Sequence, residues 1–490
     1  GYGRFHYGFL LLCGAMFLCV GCQNGINAYI LPSAECDLNL TSEQKGLLNV
    51  SFLLVGGVIS SLFWGIFADA YGRRYILLLT LLSDSILSIG GSFSQSFKVL
   101  LIFRGLNGFF IGAPGSLVYT YLGEFHAQKQ RAKAICYVGF FWTLSWLILP
   151  GLAWIIIPLP MSFQFNGILY NSWRLFLAVI GIPTLMVAFV ASRYPESPKF
   201  LVSQGKTEEA LTILRKIYAI NSGCDEDEYP IKILLSDDTL NINNRKRSFS
   251  ASRILMELLK NIWQQARSLA SPPLLKYALL CWTFTSQICS GNYYGFGLWL
   301  PELFNRFENY HKLFPEQSVS VCKLIHETDQ QTVKNILINS TDVDNCSPNM
   351  DQMVFINSLT INAFCLLGNI MSGFLANRVG RRTIPVTTML LAGIFGFAIY
   401  FVQSSLQILM VSCMFSLMIG TANFVISSIV VDIFPTHVGA VAICMMTCFG
   451  RIGAIASNLT FGMLLDISCE VPIFLVGSIV IFGGLLALLL

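Results

Sequence analysis

The chain has 490 residues, of which 54% are hydrophobic and only 12% charged, and its mean hydropathy is +0.64. That balance lies far outside the range of water-soluble domains and leaves an integral membrane protein as the class. The formal net charge of +4 says little, because the placement of Lys and Arg, not their sum, orients a membrane protein.

Apolar runs long enough to cross roughly 30 Å of hydrocarbon fall at 8–31, 46–68, 75–95, 98–121, 134–158 and 173–192, and again at 274–300, 352–376, 384–402, 406–431, 438–465 and 472–490. The chain begins at Gly1 without a methionine and stops inside an apolar run at Leu490, the look of a core trimmed of its tails. No signal peptide is visible, and the first run would itself serve for insertion. Twelve runs in a six-plus-six arrangement give an all-α membrane protein of two six-helix bundles, residues 1–192 and 274–490, joined by a hydrophilic loop at 193–273 and carrying an extracytoplasmic loop at 301–351. Arg73 and Arg74, Lys129 to Lys133, the 193–276 segment and Arg378 to Arg382 share one side with residue 1. Most of the basic residues lie there, which predicts that both termini are cytoplasmic.

Within the 193–273 loop, Lys206 to Tyr218 reads as an amphipathic helix. The acidic run Asp225 to Glu228 and the basic Arg245-Lys246-Arg247 read as a solvated linker. Cys322 and Cys346 share the 301–351 loop on the oxidising side, where a disulfide between them is expected. The same loop carries the glycosylation sequon at Asn339. The sequon at Asn458 lies within a helix and is discounted.

One short motif occurs twice, each time after a long apolar run: Gly65-Ile66-Phe67-Ala68-Asp69-Ala70-Tyr71-Gly72-Arg73-Arg74 and Gly373-Phe374-Leu375-Ala376-Asn377-Arg378-Val379-Gly380-Arg381-Arg382. Glycines permit a tight turn there, and a basic pair stays outside the hydrocarbon. Recurrence in matching contexts points to two homologous halves. The motif resembles the inter-helix loop of the major facilitator superfamily, and the resemblance implies that fold. Longer strings resemble the synaptic vesicle glycoprotein 2 family along nearly the whole chain: Gly1 to Phe5, Leu31-Pro32-Ser33-Ala34-Glu35, Ser162-Phe163-Gln164, Ser172-Trp173-Arg174, Pro195-Glu196-Ser197-Pro198-Lys199-Phe200 and Asn292-Tyr293-Tyr294-Gly295, with Trp299 and Pro301.

What the resemblance implies is an alternating-access carrier in a vesicle or plasma membrane, with helices 1, 4, 7 and 10 around a central cavity. It also places aromatic pocket residues at Trp142, Tyr293 and Tyr294 and a basic residue at Arg451. Their bland alternative is helix packing. The departures are specific. The family's two helix 1 acids fall on Val20 and Gln23, its helix 10 acid near Ser427, and the arginine after helix 10 on Gly439. The long luminal repeat loop of the vertebrate members, a neurotoxin receptor, is absent, so that role is not carried over.

Depth along each run makes Gln23, Asn24, Asn27, Trp142, Trp146, Gln287, Asn292, Tyr293, Tyr294, Asn423, Ser427 and Arg451 the candidate substrate-binding residues. A buried polar group without a partner costs on the order of 2–7 kcal/mol, and a helix-centre arginine about 2.5–3.5 kcal/mol. Arg451 therefore needs a partner: a solute anion, Asp466, or carbonyls and water. Asp69, Arg73, Arg74, Glu124, Arg131, Asn377, Arg381 and Arg382 are assigned to a cytoplasmic gate of charge pairs that hold one access state. Asp84 in helix 3 shows no partner in the sequence. No metal cluster, cofactor fingerprint, catalytic constellation or nucleic-acid motif is read, so a carrier rather than an enzyme is expected. Its solute is small, polar and organic, and the lost helix 1 acids favour a neutral or anionic one. The alternative is a transporter-like vesicle protein acting in trafficking as a binding component, with partners on the tails.

Overall fold

The computed structural model describes residues 2–165, 167–234, 267, 271–272, 274–291, 296–313, 320–323, 352–376, 383–433, 436–464, 468 and 470–489. Among these, nine helices are long and apolar enough to cross a membrane by length and composition. Helices are numbered below by the twelve apolar runs of the sequence.

Helix 1 is longer than its apolar run. Arg4–Gly25 continues into Asn27–Leu38 through Ile26, which keeps helical dihedrals. Asn39, with φ of 49°, ends it in the left-handed region that Asn tolerates. Helix 2 comprises Ser42–Leu53, a π-helical stretch Leu54–Ile59 and Ser60–Tyr71. The stretch holds Gly56 and Gly57 beside helix 4, where a methyl on Gly108 would stand 2.5 Å from the Phe52 carbonyl oxygen. Only glycine permits that approach of two backbones. Helices 3 to 6 are Arg73–Gly91, Phe97–Phe125, Gln128–Ile156 and Ser172–Ala191.

A hairpin absent from the expectations, β1 (Ser162–Phe165) against β2 (Ile168–Asn171), joins helices 5 and 6 with Phe165 opposite Ile168. The sequence signal for it is Asn166-Gly167, the favoured pair for a two-residue hairpin turn. Gly167 takes φ of 81°. After helix 6 come two short helices, Pro198–Ser203 and the amphipathic Thr207–Ser222.

In the second half, Leu274–Gly291 and Phe296–Leu313 fall on helix 7 and its extension, followed by Gln352–Ala376, Thr383–Phe401, Ser405–Ile433, Thr436–Leu464 and Glu470–Leu486 as helices 8 to 12. Packing follows one pattern in both halves. Helix 1 packs on 5, 3 on 4 and 6, and 2 on 4; correspondingly 7 packs on 11, 9 on 10 and 12, and 8 on 10. Across the halves, 2 meets 11 and 5 meets 8.

Candidate functional site

Between the halves lies a cavity of about 360 Å³ whose lining includes Asn24, Gly57, Trp142, Asn423 and Arg451. Among the described residues no carboxylate lines it. Arg451 Nη1 donates to Asn24 Oδ1 at 3.0 Å, a bond from helix 11 to helix 1 and so from one half to the other. A methyl on Gly57 would stand 2.8 Å from Arg451 Cδ, so the glycine at this point leaves room for the arginine stem. Trp142 packs on Phe17 at 5.3 Å between ring centroids, and Phe17 on Tyr119 at 4.9 Å. The cavity thus combines one guanidinium, two amide side chains and an aromatic wall, a set suited to hydrogen bonding and stacking.

Three sequence candidates do not line this cavity. Gln23 is fully buried on the other face of helix 1, donating to Asp84 Oδ2 at 3.2 Å and to Ser88 Oγ at 2.6 Å. Asn27 accepts from Arg104 Nε at 2.9 Å and donates to Asn49 at 3.0 Å. Gln23 and Asn24 are neighbours on the helix and point different ways, and Asn27, four residues on from Gln23, shares the contact of Gln23 with Arg104. Trp146 lines a separate pocket of about 40 Å³ with Asn362, whose amide donates to the Trp146 carbonyl at 2.8 Å. The side chains of Gln287 and Ser427, and Asn292, Tyr293 and Tyr294 altogether, lie outside the described residues.

Asp84, without a visible partner in sequence, is a hub. Asn107 donates to its Oδ1 at 2.9 Å, and Gln23 bridges it to Arg104 by accepting from Nη1 at 3.0 Å. Arg104 also rests over the Phe52 ring at 4.6 Å. Acid and base are thus joined through an intervening amide within one half. The chain of amides continues from Asn49, which donates to Asn458 at 3.0 Å, and Trp299 also donates to Asn458, at 3.2 Å. Asn458 is therefore a buried bridge to the second half rather than a glycan acceptor.

A second cluster missed in sequence lies where helix 1 ends. Lys45, 1% exposed, stands 2.9 Å from both Glu35 and Glu302. Arg306 reaches Glu302 at 3.0 Å. Helices 1 and 2 of the first half are thereby clasped to the helix 7 extension of the second. Close by, a methyl on Gly46 would stand 3.1 Å from the Asn458 carbonyl oxygen of helix 11. The only sequence signal was a lysine at the start of an apolar run, which loop charge alone also explains.

At the opposite end, Arg73 and Arg74 of the first motif, which the sequence assigns to a gate, gather on Glu196. Its carboxylate accepts from the backbone N–H groups of Arg73 at 3.0 Å and Arg74 at 3.1 Å, an anion at the N-terminus of helix 3. Ser197 caps the next helix by accepting from the Phe200 N–H at 3.3 Å, with Pro198 in its first turn. Together these assign a local role to Glu196, Ser197 and Pro198 of Pro195-Glu196-Ser197-Pro198. Gly72 has φ of 105°, and a methyl there would stand 2.5 Å from Glu196 Oε2, so the motif glycine is required twice over. Arg73 pairs with Glu124 at 3.3 Å and rests on Phe200 at 5.1 Å. Arg131 is exposed and lies along Gly123. The Asp69 side chain and Asn377, Arg381 and Arg382 lie outside the described residues.

Beside this cluster His126 packs on His6, 5.1 Å between centroids, with Nδ1 2.8 Å from the Leu122 carbonyl. Burial pushes its pKa below the ordinary 6.5. The folded state then holds fewer protons than the unfolded one, so stability should fall as pH drops below about 6.5. His126→Gln should flatten that part of a melting-temperature profile between pH 7.5 and 5; an unchanged slope would count against the assignment.

Cys36 and Cys322 are each disulfide-bonded. Cys346, the expected partner of Cys322, and Asn339 lie outside the described residues.

A family model described as "Sugar (and other) transporter" matches residues 12–299. In sequence the chain is similar to synaptic vesicle glycoprotein 2C of Homo sapiens, 25% identical over 583 aligned residues that cover 100% of this chain and 79% of that protein. It is also similar to synaptic vesicle glycoprotein 2B of Mus musculus, 25% identical with 100% and 84% covered. In structure it is similar to the xylose transporter XylE from E. coli in a partially occluded inward-open conformation, with a TM-score of 0.67, 16% identity and 98% of each chain covered. Against the inward-open conformation the TM-score is 0.66 at 15% identity, covering 99% of this chain and 96% of that one.

Proposed function

We infer, on the premise that this chain belongs to the sugar (and other) transporter family, that it carries a small polar organic solute, neutral or anionic, by alternating access. The observation that supports this reading most is the cavity wall: Arg451, Asn24, Asn423 and Trp142 converge on it, with no carboxylate among the described lining residues. A cationic solute would meet the Arg451 guanidinium there. A neutral polyol or ring would find donors and acceptors and an aromatic face, and an anion would also find a charge partner.

Residues 1–192 and 274–490 form pseudo-repeats in this reading, supported by the matched packing of helices in the two halves. The outer clasp at Lys45 closes one end while the cavity lining runs toward the end that bears Glu196, which favours an inward-facing state. A vesicle or plasma membrane location with cytoplasmic termini follows from the placement of basic residues and from the likeness to synaptic vesicle glycoproteins. Arg73, Arg74 and Glu124, with Glu196, act as the inner gate.

A thermal-stabilisation screen of neutral polyols, sugars, organic monoanions and organic cations on the purified protein tests the solute class. Stabilisers should come from the first three groups. If organic cations alone raise the melting temperature, the reading fails.

A further inference from the structure

A second cavity is larger than the central one. A space of about 650 Å³ opens at the end of the bundle that bears the inner gate, and four cations, Arg4, Arg74, Arg193 and Lys216, line it. Among the described residues no carboxylate shares the lining. The nearest acid of the gate, Glu196, is turned to the backbone N–H groups of Arg73, Arg74 and Ser197. Like charges brought together in this way repel unless an anion sits among them. Arg74 Nη2 donates to the Ser192 carbonyl, but Arg74 Nε is buried without a hydrogen-bond partner.

The location narrows what the anion is. Arg4 begins the first membrane helix, Arg74 lies in the first turn of the third, and Arg193 follows the last turn of the sixth, so three cations stand where hydrocarbon gives way to headgroups. Lys216 comes from the amphipathic helix Thr207–Ser222, which turns Ile213 and Ile217 into the same space. Asn221 of that helix holds it against helix 1 by accepting from the Phe5 N–H at 3.0 Å. The same helices expose Tyr7, Met186 and Phe189, at 59%, 64% and 62%, apolar surface for acyl chains. Arg193 itself stacks on Phe189 at 4.8 Å.

We propose that this pocket binds the phosphomonoester headgroup of an anionic lipid, a phosphoinositide in its chemical class, with the acyl chains leaving along helices 1 and 6. Arginine forks match phosphate oxygens in pairs, and basic pockets between membrane helices on the cytoplasmic side are recognised lipid headgroup sites. The lipid ties the amphipathic helix to the motif turn at Arg74, so its occupancy bears on the inner gate rather than on the solute cavity.

The test uses the full chain in detergent with defined additives: phosphatidylinositol 4,5-bisphosphate, phosphatidylserine, phosphatidylcholine and soluble inositol trisphosphate, followed by native mass spectrometry and melting temperature. The bisphosphate lipid should bind and stabilise at the lowest concentration. The charge-removing set R4Q/R193Q/K216Q should weaken it roughly a hundredfold, about fivefold per basic residue, while R4K/R193K/K216R, which keeps the charge, should retain most of it. Should the first set fail to fold, the single variants Arg193→Gln and Lys216→Gln carry the comparison at about fivefold each. Equal lipid binding by variants and wild type would overturn the proposal. So would inositol trisphosphate binding as tightly as the lipid, which would assign the pocket to a soluble phosphate instead.

Discussion

Replacing Arg451 by methionine is expected to weaken solute binding by about thirtyfold to several thousandfold, the range that corresponds to about 2–5 kcal/mol for removing one member of a buried charged contact. Two losses combine. The guanidinium no longer faces the cavity, and Asn24 loses the donor that reaches it at 3.0 Å from the other half. Arg451→Lys keeps the charge without the planar fork and should fall between methionine and wild type. Gly57 leaves space for the arginine stem, so a methionine of similar length fits without overpacking and the variant should reach the membrane. Ligand-induced thermal stabilisation, measured with surface abundance, separates site from scaffold. A well-expressed Arg451→Met protein with a full ligand response would remove this arginine from the site.

Lys45→Met should open the outer end. It leaves Glu35 and Glu302 facing each other with Arg306 as the remaining described cation. Breaking a buried ion pair by removing one partner costs about 3–5 kcal/mol, and since this cost falls on the outward-closed state, the balance of states should move by more than a hundredfold. A cysteine placed at Asn423 in the cavity should then react faster with a membrane-impermeant maleimide from the extracytoplasmic side. The double variant Lys45→Met with Glu302→Met, which removes the unpaired carboxylate as well, should recover part of the closure. An Asn423→Cys labelling rate that Lys45→Met leaves unchanged would show that the clasp does not hold the outer gate.

The sequence exposed the scaffold readily because membrane helices advertise themselves by length and hydropathy, and the repeated Gly-Arg-Arg turn marks the halves. What it concealed follows from geometry. Depth along a run says that Gln23, Asn24 and Asn27 lie at midplane but not which way each points; the structure sends only Asn24 to the cavity. Asp84 looked unpartnered because its neighbours, Asn107 and Gln23 with Arg104 behind it, sit on two other helices. Lys45 and Glu302 are 257 positions apart, and nothing local couples them. Arg451 was legible for the opposite reason: a charge in hydrocarbon is costly enough to be conspicuous by itself. The anionic-lipid pocket draws one cation from each of four separated segments, and only the folded chain brings them together.

The most direct test of alternating access is a reversible lock on the outer gate in sealed proteoliposomes. Cysteines at positions 45 and 302, in place of Lys45 and Glu302 and oxidatively joined through a short bis-methanethiosulfonate spacer by a disulfide at each end, would bridge helix 2 to the helix 7 extension reversibly. Uptake of a solute that stabilises the wild-type protein should be saturable, stop when the pair is oxidised and resume on reduction. Uptake that continues through the oxidised lock, or no flux of any stabilising solute in the unmodified protein, would contradict a carrier that works by opening and closing at this clasp.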